Sequence, residues 1–251
     1  MLALVVPVSQ RVRGGLFFGG AMLEEVLEVL DGRRRWCVVN ADCREVLPKL
    51  PRVDLVMADP PYGINAARDR NSHEDGWIDY PSSGWDKERA PPDLITMMLG
   101  KGRESCVWGG NYFTDALPPS MGWLVWDKGQ RSFSLADCEL AWTSRDCAIR
   151  CLTFPRAKAL ADGKVHPTQK PVAVMMWALG LMASAGQLVL DPFSGSGTTG
   201  VAALRLGMRF VGVEADPYFA GVARERLSAE SEGLTLRDAR AGQQSLFGGE
   251  P

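Results

Sequence analysis

The sequence DPPYG at residues 59–63 brings together groups that could act on an amino group. Asp59 offers a carboxylate, and Pro60 offers a carbonyl oxygen that accepts hydrogen bonds although proline has no N–H of its own. Pro61 helps to end the preceding apolar run, and Tyr62 adds a flat aromatic face. Two acceptors beside a ring suit a planar base that carries an exocyclic amino group. A prolyl turn with a solvated Asp is the plainer alternative, which this stretch alone does not exclude.

A glycine-rich stretch, LVLDPFSGSGTTG at residues 188–200, has the pattern of a cofactor-binding loop. Its glycines spell GxGxxG between a predicted strand and a predicted helix, and Glu214 lies 19 residues beyond Gly195. By spacing alone, the pattern equally fits a dinucleotide site. Only 51 residues follow Gly200, which is too few for the remaining strands of an NAD-binding domain. A phosphate P-loop is excluded because no Lys follows the last glycine.

Three motifs together resemble those of the DNA amino-methyltransferases that use S-adenosylmethionine. DPPYG resembles the catalytic tetrapeptide of the adenine-N6 branch, and HPTQKP at residues 166–171, followed by DPFSGSGTT, resembles the methionine-binding region of that family. The catalytic motif precedes the glycine loop, as in the permuted group called β. The resemblance covers about residues 36–230.

This resemblance implies methyl transfer from S-adenosylmethionine to the N6 amino group of adenine in double-stranded DNA, with the base flipped out of the duplex. Asp59 and the Pro60 carbonyl then accept hydrogen bonds from the amino group, the base stacks on Tyr62, and no covalent enzyme intermediate forms. Cytosine-N4 methylation stays open as the closest alternative, although that branch more often carries Ser in place of Asp59. A catalytically silent DNA-binding subunit is the alternative of another class.

The resemblance also implies which residues hold the cofactor. Asp191 can meet the methionine ammonium, Glu214 can take both ribose hydroxyls, and Phe193 packs along the nucleoside. Asp42 follows the first predicted strand, and it either accepts from the adenine of the cofactor or caps a helix. The other residues of this set lie in the glycine loop or flank the methionine end: Gly195, Gly197, Thr198, His166 and Lys170.

The elements that must position these residues alternate between strands and helices. Apolar runs near residues 36, 53, 105, 123, 138, 187 and 209 predict strands, and helical patterns follow residues 171, 198 and 218. This alternation predicts a doubly wound α/β sheet, in which ligands bind at the carboxyl ends of the strands. The family resemblance implies a Rossmann-like methyltransferase sheet of seven strands, mainly parallel with one reversed.

We predict three parts of the chain. Residues 1–35 form an N-terminal covering extension, residues 36–232 form the methyltransferase domain, and residues 233–251 form a flexible tail. Within the domain, residues 64–92 are polar and too long for a simple connection, so we expect them to order over substrate.

The charge of the chain is uneven. A formal net charge of −2 is unfavourable for DNA binding, because phosphate contacts supply most non-specific affinity. Residues 145–170, however, hold six basic residues against two acidic ones. We therefore predict a short basic recognition segment over residues 143–165. Its candidate DNA contacts are Arg145, Arg150, Arg156, Lys158 and Lys164.

The composition bounds the remaining partners. Six cysteines without CxxC spacing and only two histidines argue against a metal site and for reduced thiols. No apolar run approaches the ~20 residues that a membrane helix needs, and the amino-terminal stretch lacks a basic region before its apolar residues. We expect a soluble, cytoplasmic protein.

Two further partners are considered. The tail stretch QQSLF places Gln243, Leu246 and Phe247 in a pattern that resembles the short peptide with which bacterial DNA enzymes bind the replicative sliding clamp. Gln244 departs from that pattern, in which Leu is commoner. Folding of the apolar pair back onto the domain is the alternative, and a homodimer is the other partner hypothesis.

Overall fold

The computed structural model describes residues 20–64, 86–131, 136–155 and 169–242, and this part of the chain forms an eight-stranded sheet. Its strands are β1 (Trp36–Asn40), β2 (Val53–Ala58), β3 (Gly102–Trp108), β4 (Trp123–Asp127), β5 (Cys138–Thr143), β6 (Arg150–Thr153), β7 (Leu188–Asp191) and β8 (Arg209–Glu214). Their order across the sheet is β1-β8-β7-β2-β3-β5-β4-β6. Neighbouring strands run parallel, except that β5 is antiparallel to both β3 and β4. The prediction of a doubly wound, mainly parallel sheet with one reversed strand is confirmed.

The sheet has one strand more than the seven that the sequence predicts. β6 pairs in parallel with β4, where Cys151 lies opposite Val125, and it forms the edge of the sheet. Its four residues are exposed or half-buried, so no buried apolar run marks this strand in the sequence. The strand lies within residues 143–165, and the start of the proposed recognition segment is thus part of the sheet.

Helices cover both faces of the sheet. They are α1 (Gly20–Leu30), α2 (Cys43–Val46), α3 (Pro92–Leu99), α4 (Val172–Met182), α5 (Thr198–Arg205), α6 (Pro217–Ser231) and α7 (Leu236–Arg240). Apolar side chains of α1, α2 and α3 pack in one core cluster, and those of α4, α5 and α6 pack in the other. β2 shows why its sequence is almost continuously apolar: Leu55 and Met57 enter one cluster, whereas Val56 and Ala58 enter the other.

The two ends of the described chain are tied to this core. Arg209 Nη1 donates to the carbonyl of Val29 at 2.6 Å, near the C-terminal end of α1. Helix α7 lies in the segment that we predicted as a tail, and Arg240 in this helix pairs with Glu225 of α6 at 2.7 Å. Among the described residues, no helix has both the length and the apolar character that crossing a membrane requires.

Four neighbouring parallel strands have their carboxyl ends side by side, and we call this end of the sheet the ligand-binding edge. β1 ends at Asn40, β8 at Glu214 and β7 at Asp191, while β2 ends directly before Asp59. β2 and β7 are hydrogen-bonded neighbours, so DPPYG and the glycine loop begin side by side. This edge is where an open α/β sheet binds its ligands.

Candidate active site

Asp59 is the centre of a hydrogen-bonded cluster at this edge. Its Oδ1 accepts a hydrogen bond from the Tyr62 hydroxyl, and its Oδ2 accepts one from the Lys170 ammonium at 2.5 Å. The Lys170 side chain is only 6% exposed. The sequence assigned Lys170 to cofactor positioning, and in the structure its ammonium contacts Asp59. Lys170, which precedes the glycine loop in the sequence, thus contacts DPPYG.

A second carboxylate, Glu139 of β5, also contacts the ammonium of Lys170, at 3.3 Å. The other Glu139 oxygen lies 2.8 Å from Nζ of Lys128. Burial by itself would lower the pKa of Lys170, but Asp59 and Glu139 outweigh burial and raise this pKa above its ordinary value. Burial likewise acts to raise the pKa of Glu139, and the two lysines overcome it, so this pKa is lowered. Lys170 and Glu139 are therefore both charged at neutral pH.

The ring of Tyr62 is less open than the sequence suggests. Tyr112 stacks on it with ring centroids 4.8 Å apart and an interplanar angle of 11°. Gly109 has a positive φ of 65°, and a Cβ at this position would lie 2.1 Å from the Tyr62 ring. One face of Tyr62 is therefore covered by Tyr112, which is itself 38% exposed. Sequence reasoning missed Tyr112, which the chain brings to Tyr62 across 50 residues.

The DPPYG turn is held by residues from the end of the long polar segment. Asp86, which is buried, accepts hydrogen bonds from the backbone N–H groups of Tyr62 at 2.8 Å and Gly63 at 2.9 Å. The Ala90 N–H donates to the Pro61 carbonyl at 3.0 Å. Within the described residues, the carbonyl of the buried Pro60 has no hydrogen-bond donor. The expectation that residues 64–92 order over substrate concerns mainly residues 65–85, which lie outside the described residues.

The glycine loop meets the ends of β7 and β8. Glu214 Oε2 accepts from the Gly195 N–H at 2.8 Å, and Oε1 accepts from the Asp216 N–H at 2.8 Å. Asp191 is 2% exposed, and its Oδ1 accepts from the Phe193 N–H at 3.0 Å. Burial raises the pKa of Asp191 to about 7 despite its hydrogen bonds. Beside the loop, the Glu214 carboxylate is thus fixed by backbone N–H groups, whereas the Asp191 carboxyl is buried and has a pKa near neutral pH.

The loop has room for a ligand. Gly195 adopts a φ of +51°, and a Cβ built there would meet nothing within 4 Å. The hydroxyl of Ser194 is buried and has no hydrogen-bond partner in the described structure. Gly197, which caps α5, and Thr198, its first residue, are buried, and Phe193 is half-buried beside the open position. A small ligand with polar groups and an apolar body fits these surroundings.

Two predicted site residues have other roles in the structure. Asp42 caps α2 by accepting from the Arg44 N–H at 2.9 Å, which is the helix-cap alternative, although it follows β1 at the ligand-binding edge. Arg145 lies at the opposite edge and donates to the carbonyls of Leu181 at 2.5 Å and Met182 at 2.8 Å. Arg145 therefore stabilises the end of α4, and these contacts engage the guanidinium that the sequence predicted for DNA. Arg150 is exposed on β6.

Four predicted site residues lie outside the described residues. They are Arg156, Lys158, Lys164 and His166. The segment that contains them leaves the described chain after Pro155, which follows β6 at the same edge of the sheet as Asp59. The tail residues Gln243, Leu246 and Phe247 are also outside the described part.

Comparisons with known proteins place these features in a family context. Residues 107–225 match a family model described as DNA methylase, and DPPYG lies before the matched region. Over 67 residues the chain is 49% identical to the Type II methyltransferase M2.DpnII of Streptococcus pneumoniae, covering 27% of this chain and 25% of that protein. Over 79 residues it is 39% identical to the DNA adenine methyltransferase YhdJ of Escherichia coli (strain K12), covering 31% of this chain and 27% of that protein. The chain thus spans about a quarter of the length of these curated relatives.

A solved structure shows the same fold over most of the chain. The M1.HpyAVI–SAM complex superposes with a TM-score of 0.55 at 21% identity, covering 76% of this chain and 100% of that one. Residues 107–225 of the chain are therefore similar to the DNA methylase family, and the chain shares the fold of M1.HpyAVI.

Proposed function

We propose that the chain transfers a methyl group from S-adenosylmethionine to the N6 amino group of adenine in double-stranded DNA. The observation that carries this proposal is the meeting of the Asp59 cluster and the glycine loop on the neighbouring strands β2 and β7. An acceptor for an amino group and a loop for the methyl donor are then side by side. The similarity to YhdJ, named a DNA adenine methyltransferase, supports adenine as the base.

The proposed reaction needs no covalent bond between the protein and its substrates. The lone pair of the adenine amino nitrogen is delocalised into the ring, so this nitrogen is a poor nucleophile. Hydrogen bonds from the amino group to Asp59 and to the Pro60 carbonyl favour a pyramidal nitrogen that can attack the methyl carbon of a sulfonium. As the N–C bond forms, the C–S bond breaks and a neutral thioether leaves, and the methylated nitrogen then loses one proton. Each Asp59 oxygen has a second acceptor site, so the contacts with Tyr62 and Lys170 leave capacity for the base. Positioning of the reactants then supplies much of the rate.

S-adenosylmethionine, when bound, supplies an activated methyl group on a sulfonium. Asp191 suits its ammonium, because a buried carboxylate gains most from a charged partner. Glu214 lies at the next strand end, where it can accept from the ribose hydroxyls in exchange for its present backbone donors. The open position at Gly195 admits the methionine part, and Phe193 packs along the nucleoside.

The flipped base enters beside an aromatic pair. Because Tyr112 covers one face of Tyr62, a base stacks either on the exposed face of Tyr112 or on Tyr62 after the Tyr112 side chain has rotated away. Stacking of a base on an aromatic ring is worth about 1–3 kcal/mol. This gain offsets part of the cost of a few kcal/mol for taking the base out of the duplex.

The test of this function is the identity of the modified nucleoside. DNA is incubated with the purified chain and S-adenosylmethionine, digested, and analysed by mass spectrometry. N6-methyl-2′-deoxyadenosine supports the proposal, whereas N4-methyl-2′-deoxycytidine would replace it with the closest alternative. Tight cofactor binding without methylation of any DNA would favour a silent DNA-binding subunit.

DNA contacts are proposed for Arg150, Arg156, Lys158 and Lys164. Replacing both Arg156 and Lys158 with Gln should flatten the dependence of DNA affinity on salt by roughly one unit of logarithmic slope per lost phosphate contact. Fluorescence anisotropy at several salt concentrations measures this slope. Arg103→Gln is a matched control, since Arg103 is exposed at the amino end of β3, away from the site. An unchanged slope in the double variant would place the DNA elsewhere.

A sliding clamp is proposed as a partner of the tail. Docking of Leu246 and Phe247 would raise the effective concentration of the enzyme on newly made DNA. A Leu246→Ala, Phe247→Ala double variant should lose binding to purified clamp in surface plasmon resonance, while Gln244→Ala, within the same stretch, should keep it. Equal binding by the wild type and the double variant would end this proposal.

Two further proposals follow from the same function. A homodimer is tested by light scattering of the purified chain, with a monomer mass as the opposing result.

A cytoplasmic location is proposed because the proposed substrate is DNA, which lies in that compartment in the bacteria from which the named relatives come.

A further inference from the structure

A chain of four alternating charges runs into the site from the far side of Asp59. Lys128 follows β4 and lies 2.8 Å from Glu139, Glu139 lies 3.3 Å from Lys170, and Lys170 lies 2.5 Å from Asp59. Both lysine side chains are largely buried, with 11% and 6% of their surface exposed. This row of four charged side chains therefore connects the β4–β5 hairpin to the Asp59 carboxylate at the end of β2.

The four charged side chains neutralise one another in a largely buried environment, where an unpaired charge would destabilise the protein. Two positive and two negative groups cancel, and removing one partner from a buried ion pair leaves an uncompensated charge. Loss of the Glu139 charge would leave a net positive cluster beside a site that receives a positively charged sulfonium. It would also leave Lys170 with Asp59 as its only anionic neighbour among the described residues.

We propose that Glu139 is a positioning residue for methyl transfer, which holds the Lys170 ammonium on Asp59 Oδ2 and thereby directs Asp59 at the base. This inference rests on the proposed function. It goes further by assigning a role to Glu139 and Lys128, which are connected to Asp59 through Lys170. Lys128 in turn fixes the second Glu139 oxygen and so the orientation of this carboxylate.

The pH dependence of this arrangement follows from the groups that face Lys170. They are Asp59 and Tyr62 after β2, Cys106 of β3 and Glu139 of β5, with Lys128 behind Glu139. Burial raises the pKa of Cys106 to about 12 and the pKa of Tyr62 well above its ordinary value, so neither is charged near neutral pH. Removing the Glu139 charge should therefore lower the pKa of Lys170, and the loss of activity at alkaline pH should begin at a lower pH.

The experiment compares Glu139→Gln, Glu139→Asp and Glu230→Gln with the wild type. Glu230 on α6 is also paired, at 2.9 Å with Arg205, but far from the site, so it controls for the loss of a paired carboxylate. We expect Glu139→Gln to lower kcat about 100-fold, the cost of misplacing a reacting group by about 1 Å, with KM for DNA within a few-fold. Its alkaline limb should move to lower pH, and Glu139→Asp should recover part of kcat.

A second measurement is independent of methylation. Nitrogen NMR of the lysine Nζ atoms across pH follows the titration of Lys170 directly, with Lys170→Met to assign its signal. A kcat and pH profile of Glu139→Gln that match those of Glu230→Gln would overturn the positioning role. If the wild type methylates no DNA, the proposed function fails, but an unchanged Lys170 titration in Glu139→Gln or in the milder Glu139→Asp would still refute the coupling.

Discussion

The variant Asp59→Ala is expected to abolish methyl transfer while its affinity for S-adenosylmethionine stays within a few-fold of the wild type. In the proposed function, Asp59 is the acceptor that orients the base, and orientation of well-placed reactants is worth about 7–11 kcal/mol. Its two oxygens contact Tyr62 and Lys170, whereas the glycine loop is bound to Glu214 instead. Transfer of labelled methyl groups to DNA measures the first effect, and titration calorimetry measures the second.

The control for this prediction concerns stability, because Asp59→Ala also removes a partner of the buried Lys170. Breaking a buried ion pair costs about 3–5 kcal/mol, so the unfolding temperature must be recorded for each variant. Asp59→Asn keeps an acceptor oxygen and the side-chain shape but loses the charge. We expect it to retain more activity than Asp59→Ala. Near wild-type transfer by Asp59→Ala would remove Asp59 from catalysis.

The sequence is informative about this site where chemistry coincides with the end of a buried strand. Asp59, Asp191 and Glu214 each lie at or directly after such an end, and parallel strands bring their ends to one edge. The position of these strand ends follows from the parallel order of the strands and does not depend on side-chain contacts. The prediction of a common edge is therefore correct for these three residues.

Contacts between distant segments could not be read in the same way. Lys170 reaches Asp59 across 111 residues, and Glu139 joins them from the reversed strand, whose register depends on the hairpin with β4. One signal was available for Glu139: a charged residue two positions before Ala141, on the strand face that packs against α4. Such a residue requires a buried partner, but the pattern does not say which one.

Local charge was a weaker guide than strand ends. Residues 145–170 are basic as a group, yet the Arg145 guanidinium is used by the last carbonyls of α4. A positive charge at the C-terminal end of a helix complements the helix dipole, and it satisfies carbonyls that have no partner within the helix. The composition of the segment could not separate this structural arginine from those that could meet phosphate.

Cofactor binding is expected to depend on pH through Asp191. Burial raises the pKa of this carboxyl to about 7 in the ligand-free protein, whereas pairing with the methionine ammonium requires the carboxylate. Binding therefore releases a proton below about pH 7, so affinity should rise as the pH increases toward 7 and then level off. In Asp191→Asn, this rise should be absent, and affinity should be roughly ten- to a hundred-fold weaker at higher pH, since a charged hydrogen bond is worth about 1.5–3 kcal/mol.

Stability of the ligand-free protein should show the opposite trend. A carboxyl whose pKa is raised on folding contributes stability that is complete below its unfolded pKa and is lost as the pH rises through its folded pKa of about 7. Unfolding without cofactor should therefore become easier between about pH 4 and 7 relative to Asp191→Asn. Calorimetry with S-adenosylmethionine at several pH values measures how cofactor affinity depends on pH. The ammonium of the cofactor has a pKa of about 8 and titrates with either protein, so comparison with Asp191→Asn separates its contribution from that of Asp191. Equal pH dependence in both proteins would show that Asp191 does not meet the ammonium.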